Sequence, residues 1–200
     1  TMPVADGNPR EPAADPALEV RQAALQAWFQ DAGRPGRVGQ GESASGALDR
    51  APLRAASRLV GNEAGAAVIE VAGGGFELLV MRDAELAVTG AAETIELDRF
   101  DGYAQTLTPG TAFAVCPGDR LRIPSPGAGA RSYLAARGGF LVRRVLGSPA
   151  TDTLAGIGPD PIRSGDRLCV RAAPAGQVVA HPEPPAGPLP RAGEVTFLDV

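Results

Sequence analysis

Lysine is missing from this chain of 200 residues, and all 19 basic side chains are arginines. That absence excludes a lysine Schiff base, a P-loop lysine and a biotinylated lysine. Cysteine and histidine are nearly missing as well, with Cys116, Cys169 and His181 the whole supply. No zinc-finger spacing can be assembled from them, no metal site is expected, and a Ser-His-Asp hydrolase would need His181 itself. Two cysteines far apart in sequence do not make a disulfide framework. No apolar run approaches the ~20 residues of a membrane span. The N-terminus lacks the basic-then-apolar pattern of a secretory signal. The expectation is a cytoplasmic protein with no membrane partner. Positive charge is not in surplus either: 19 basic against 23 acidic side chains leave a net charge of −4. A mildly acidic chain is a poor match for a phosphate backbone, so no nucleic-acid partner is expected.

What is present resembles an ordinary globule, with 44% apolar residues. The length fits one domain of moderate size, or one domain and a tail. Residues 1–16 hold prolines and charges but almost no bulky apolar groups, so they cannot offset their ordering entropy; they read as a disordered arm or linker. Residues 172–193, centred on His-Pro-Glu-Pro-Pro-Ala-Gly-Pro-Leu-Pro, read as a proline-rich connector. Residues 194–200 read as a strand that starts a further lobe lying outside this chain. Between these segments, over 17–171, the signals are mainly β. The runs at 66–71 and 76–81 flank Gly73-Gly74-Gly75, a hairpin signal. Further strand-like runs follow at 84–90, 94–98, 111–115, 120–123, 131–136, 140–142 and 167–170. Their close spacing, with Gly, Pro and Asp between, predicts an all-β barrel or sandwich. One helix is predicted near 49–60: Asp49 caps it, Pro52 sits in its first turn, and Leu53, Ala56 and Leu59 with Val60 form an apolar stripe that Gly61-Asn62 ends. A Gly-Asp-Arg-Leu tetrad at 118–121 and again at 165–168 predicts two tight turns, each feeding a strand.

The densest polar cluster lies at 30–50, where Gln30, Asp31, Arg34, Arg37, Gln40, Glu42, Ser43, Ser45, Asp49 and Arg50 are interleaved with five glycines. Glycine lets a backbone approach a ligand closely, and arginine offers a planar fork for carboxylate oxygens. A long solvated loop, with Asp49 only a helix cap and Asp31–Arg34 only a turn ion pair, accounts for the same composition. Ser45 lies in no Gly-x-Ser-x-Gly elbow, and no histidine is placed to activate it. Arg131 and Tyr133 sit two apart on a strand and share a face; they line a pocket or form a cross-strand surface pair. Trp28 and Phe29 read as core, Cys116 and Cys169 as small buried hydrophobes, and His181 as a bystander in the connector.

In order along the chain, several runs match one family. Gln30-Asp31-Ala32-Gly33-Arg34-Pro35-Gly36 is followed by Ser45-Gly46-Ala47-Leu48-Asp49, Leu59-Val60-Gly61-Asn62 and Ala67-Val68-Ile69-Glu70. Then come Thr89-Gly90-Ala91, Arg131-Ser132-Tyr133-Leu134-Ala135 with Gly138-Gly139, and Leu146-Gly147-Ser148. Across about 17–170 the chain resembles the N-terminal half of the family of 5-oxoprolinase C subunits. That family is also described as allophanate hydrolase subunit 2, as the antagonist of a kinase inhibitor, and as the carboxyltransferase domain of urea carboxylase. The resemblance implies a mainly β, cyclophilin-like β-barrel. It also implies a partner like the B subunit of 5-oxoprolinase (allophanate hydrolase subunit 1), separate or fused. It implies ATP-dependent opening of a small amide or lactam such as 5-oxoproline, or carboxyl transfer in urea and allophanate metabolism, or a non-enzymatic role against a kinase inhibitor. Gln30, Asp31 and Arg34 are then the expected catalytic residues. Ser45, Asp49, Arg131 and Tyr133 are the expected substrate-binding residues. No cofactor is expected on this chain; ATP or biotin would come through partner subunits.

Overall fold

The computed structural model describes residues 15–34, 45–173 and 179–184. Eleven strands form among them. They are β1 (Pro16–Gln22), β2 (Gln26–Gln30), β3 (Val68–Ala72), β4 (Phe76–Val80), β5 (Ala84–Gly90), β6 (Ile95–Asp98), β7 (Ala104–Leu107), β8 (Ala112–Val115), β9 (Arg120–Ile123), β10 (Arg131–Ala136) and β11 (Arg167–Cys169). One helix, α1 (Arg50–Leu59), completes the described set. The strands divide into a six-stranded sheet, β11-β1-β4-β9-β6-β7, and a five-stranded sheet, β2-β3-β10-β5-β8. Every pairing is antiparallel.

Period-two alternation sorts the side chains. Leu18, Val20, Phe76, Leu78, Ile95, Leu97, Leu121 and Ile123 of the first sheet meet Ala27, Phe29, Ile69, Val71, Leu86, Val88 and Leu134 of the second in one buried core. Each fully buried Leu, Ile or Phe contributes roughly 1.5–3 kcal/mol by leaving water. The second sheet is buried on both faces. On its far side Val68, Ala87, Tyr133 and Ala135 pack against Leu53, Ala56, Leu59 and Val60 of the helix region. The order is therefore sheet, sheet, helix. The outer face of the first sheet stays wet: Glu77, Arg122 and Glu96 stand in register across β4, β9 and β6, with Arg122 and Glu96 2.9 Å apart.

The mainly β class and the single helix agree with the sequence, and Asp49 caps α1 by accepting the Ala51 N–H at 3.0 Å. Both Gly-Asp-Arg-Leu tetrads are turns into strands, β9 and β11. Several expectations change. The hydrogen bonds leave two separate sheets and do not close one barrel. Gly73-Gly74-Gly75 joins no hairpin, because β3 lies in one sheet and β4 in the other. Three successive positive φ values, 72°, 65° and 72°, carry the chain across. A Cβ on Gly74 would sit 2.2 Å from the Pro124 carbonyl oxygen, so only glycine fits this crossover. The run 140–142 supplies one bridge, Phe140 to Val170, and no strand. Pro16, placed in the arm by sequence, opens β1. Of the proline-rich connector, residues 179–184 dock on the body. Ala180 N–H donates to Leu59 O at 3.1 Å and Glu183 N–H to Gly110 O at 2.8 Å. Arg58 grips both Glu183 oxygens at 3.0 and 2.6 Å. The strand expected at 194–200 and the arm up to residue 14 lie outside the described residues.

Candidate functional site

The helix-facing side of the second sheet carries an unusual line of side chains. Trp28 pairs with Glu70 across β2 and β3, Glu70 with Tyr133 across β3 and β10, and Tyr133 with Thr89 across β10 and β5. Four residues thus form one transverse row. Glu70 is 2% exposed and Tyr133 0%, so their polar atoms need partners. They find them in the segment that leads into α1. Glu70 Oε2 accepts the Leu48 N–H at 2.8 Å, Tyr133 Oη accepts the Asp49 N–H at 2.8 Å, and Thr89 Oγ1 donates to Pro52 O at 2.7 Å. The Tyr133 hydroxyl also faces Glu70, its neighbour in the row. Burial first, and then the Glu70 charge, push the Tyr133 phenol far above its ordinary value, so it stays protonated.

Residues 45–49 thereby run as a strap over the row. Their other end is tied to the turn after β2. Ala47 N–H donates to Asp31 O at 3.0 Å. Gly46 has φ 94°, and a Cβ there would lie 2.8 Å from Gly33 N. Ser45 Oγ donates to Asp152 Oδ2 at 2.8 Å. Both feet of the glycine-rich segment 35–44 are therefore fixed against each other. Arg37, Gln40, Glu42 and Ser43 of that segment lie outside the described residues.

The structure brings Gln30, Asp31 and Arg34 together, but beneath the surface, at 3%, 5% and 2% exposure. Their hydrogen bonds go to segment 145–151. Arg34 donates from Nε to Val145 O at 3.0 Å and from Nη2 to Ala150 O at 2.7 Å. Asp31 Oδ1 accepts the Ser148 hydroxyl at 2.6 Å and the Gly33 N–H at 2.7 Å. Gln30 Nε2 donates to Thr151 O at 2.9 Å. Gln30 Oε1 and Arg34 Nη1 have no hydrogen-bond partner among the described residues. This geometry suits three groups that position a second loop beside the strap.

The four expected substrate-binding residues also converge on the strap. Ser45 and Asp49 lie within it, and Asp49 is a helix cap. Tyr133 lies beneath it. Arg131 reaches its edge with a side chain 25% exposed, its Nε 3.3 Å from Glu70 Oε1. The guanidinium sits 5.8 Å from the Trp28 ring centroid, a cation–π contact. Trp28 is half-buried beneath it, whereas Phe29 does enter the core and packs on Phe140 with centroids 5.8 Å apart. Sequence reasoning missed Glu70 and Trp28 as site residues. A lone carboxylate inside the apolar run Ala66–Val71 was the available signal, since a buried charge in a strand needs a partner.

Cys116 and Cys169 are half-buried and form no disulfide among the described residues. Burial, then Asp83 and Asp119, push the Cys116 thiol up, which makes it a poor nucleophile. Among the described residues no cluster of three His, Cys, Asp or Glu side chains could hold a metal. No helix there is long and apolar enough to cross a membrane. A cleft of about 230 Å³ lies elsewhere, lined by Phe29, Leu141, Ile162, Leu168 and Cys169.

Two stacked antiparallel sheets, with a helix and a strap over a buried polar row, define a β domain whose irregular segments are held by buried arginine and carboxylate groups. Residues 40–200 match the family described as carboxyltransferase domain, subdomain A and B, and the chain belongs to that family. It is 38% identical over 154 residues to the C subunit of 5-oxoprolinase from Escherichia coli (strain K12), which covers 76% of this chain and 48% of that protein. It is 33% identical over 145 residues to urea amidolyase of Saccharomyces cerevisiae, covering 71% of this chain and 8% of that one. The crystal structure of TTHA0988 superposes with a TM-score of 0.77 at 36% identity, covering 88% of this chain and 63% of that one. The Kluyveromyces lactis urea amidolyase structure superposes at 0.74 with 28% identity, covering 90% and 11%. The chain spans about half the length of the 5-oxoprolinase C subunits that it matches.

Proposed function

We propose that this chain is part of a subunit of an ATP-dependent enzyme that processes small amides or lactams, of the 5-oxoprolinase type, converting 5-oxoproline to glutamate with a partner of the 5-oxoprolinase B type. One observation carries the reading. The strap and the feet of segment 35–44 are locked over the Trp28–Glu70–Tyr133–Thr89 row, and the motifs that do so lie in a chain 38% identical to a 5-oxoprolinase C subunit. Glycine-rich backbone on a rigid sheet face is the usual setting for a site. Because the chain has no lysine and no phosphate loop, ATP would be handled by partner subunits.

The urea amidolyase relatives favour a second reading, carboxyl transfer to or from urea or allophanate, with biotin arriving on another chain. Reconstitution separates the two. The full-length protein mixed with A-type and B-type 5-oxoprolinase subunits should release glutamate from 5-oxoproline only when ATP and every component are present. Carboxylation of urea by a mixture with a biotin carboxylase, and no glutamate from the first mixture, would reverse the order of the two readings.

A further inference from the structure

We propose that Arg131, stacked on Trp28 and braced by Glu70, takes a carboxylate of the substrate. The compound handled on this face is then an amide or lactam that carries a carboxylate, and not a neutral one such as urea. The proposal rests on the reading above that a small amide is the substrate, and it adds the feature by which that amide is recognised.

The donors of Arg131 are under-used. Its Nε faces Glu70 Oε1 at 3.3 Å without hydrogen-bond alignment, and this buried nitrogen has no hydrogen-bond partner among the described residues. Its Nη1 reaches only the carbonyl of the preceding Ala130, at 3.2 Å. No described residue takes Nη2. A guanidinium has five N–H donors, so most of this one's are unused by the described residues. Three other arginines of the body show the contrast. Arg58 holds Glu183 with two bonds. Arg99 is turned onto Asp119 and the Ala114 carbonyl. Arg144 donates to Gly65 and Gly147.

The supports of Arg131 are rigid. The Arg131 guanidinium carbon lies over the Trp28 ring, 5.8 Å from its centroid, a cation–π contact that helps fix the fork. Glu70 sits on the buried side, 3% exposed at the side chain against 25% for Arg131. Glu70 meets Arg131 through Oε1 at Nε alone, and its Oε2 is committed to the Leu48 N–H, so the two Nη groups are left to other acceptors. A planar cation with a buried carboxylate behind it and an open edge in front suits a second carboxylate, bound through two parallel N–H···O bonds. Such a pre-organised fork binds without a large ordering cost.

Trp28 is the single tryptophan of the chain, so its emission reads the occupancy of Arg131 without any turnover. The full-length protein and a B-type partner, with every tryptophan other than Trp28 replaced by phenylalanine in both, would be titrated with 5-oxoproline and with 2-pyrrolidinone, the same lactam without the carboxylate. A saturable change with 5-oxoproline alone is expected. Arg131→Gln should weaken 5-oxoproline on the order of 10- to 100-fold, and Arg131→Lys should restore only part of the loss. Equal titration by the two lactams, silence with both, or an unchanged 5-oxoproline titration in Arg131→Gln overturns the proposal. If Arg131→Gln does not fold, the two lactams on the unaltered protein still decide. Glutamate release with a KM unmoved in Arg131→Gln would leave the enzyme reading standing and remove this one. Carboxylate binding without glutamate release would do the reverse.

Discussion

Asp119 is wholly buried, and its oxygens collect the Phe100 N–H at 3.0 Å, the Cys116 N–H at 2.9 Å and the Arg99 guanidinium at 2.9 Å. Burial pushes this carboxyl up, but the two backbone donors and the arginine outweigh it and hold it below the usual carboxylate value. The sign of the pH effect follows. A folded value below the unfolded one stabilises fully above the unfolded value of about 3.9, and the contribution is lost as pH falls through the folded value. Asp119→Asn keeps the shape but removes the charge opposite Arg99 and sets an NH2 against the donors on one of the two oxygens, so at neutral pH it should cost about 3 kcal/mol in a urea melt. The gap from the parent should shrink as the melts are repeated at falling pH between about 5 and 2; a constant gap would refute the linkage. Arg34 belongs to the same scale. Arg34→Met removes the donors that hold the Val145 and Ala150 carbonyls, and it should cost roughly 2–4 kcal/mol with faster amide exchange across 145–151. The sequence picked out Gln30, Asp31 and Arg34 because polar side chains among glycines stand out in composition. Composition is blind to depth, and it could not show that these groups would be buried against carbonyls of a segment more than 110 residues away.

Elements whose burial follows a strict period were legible, and those built on partial burial were not. β4, β5, β9 and β10 carry clear apolar runs and fall where the sequence put them, as does α1 with its cap and stripe. β1 and β2 escaped notice because Pro-Ala-Leu-Glu-Val-Arg-Gln and Gln-Ala-Trp-Phe-Gln mix polar with apolar residues and lie beside a proline-rich arm. β7, Ala-Gln-Thr-Leu, is an edge strand with no residue fully buried, so nothing in it demands alternation of bulky groups. The crossover at 73–75 looked like a hairpin because glycine marks a turn without saying which sheet receives the next strand. The strap is the element on which the site depends, and its attachments can be removed one at a time. Asp49→Ala loses the cap and should cost about 1 kcal/mol. Tyr133→Phe strands the Asp49 N–H, which should cost about 1–3 kcal/mol. Amide exchange at Leu48 and Asp49 should rise in Tyr133→Phe; unchanged protection there would mean the strap is held by something other than the row.

At the scale of the whole molecule the two outer surfaces differ in kind. The first sheet shows water a ladder of opposite charges, Glu77, Arg122 and Glu96, with Asp98 opposite Arg120 at its end. Such a face is satisfied by solvent and by itself. The strap side is unlike it. Leu48 on the strap is 71% exposed, and Leu154, in the turn that Asp152 ties to Ser45, is 100% exposed. Leu146, between the residues gripped by Arg34, is 41% exposed and held at φ 54°, a strained value for a leucine. Large apolar groups on anchored irregular segments, where they lie side by side, suit a surface that another polypeptide covers. The strap side is therefore where a partner of the 5-oxoprolinase B type should dock if the proposed assembly forms. Leu48→Glu combined with Leu146→Glu should weaken that complex at least ~10-fold by titration calorimetry, with little change in the melting of the isolated protein. Arg122→Glu on the opposite face should leave the affinity within about twofold, because a rim or remote charge alters association modestly. Loss of binding from Arg122→Glu, with the leucine variant still binding, would place the partner against the charged sheet and move the interface to the other side of the molecule.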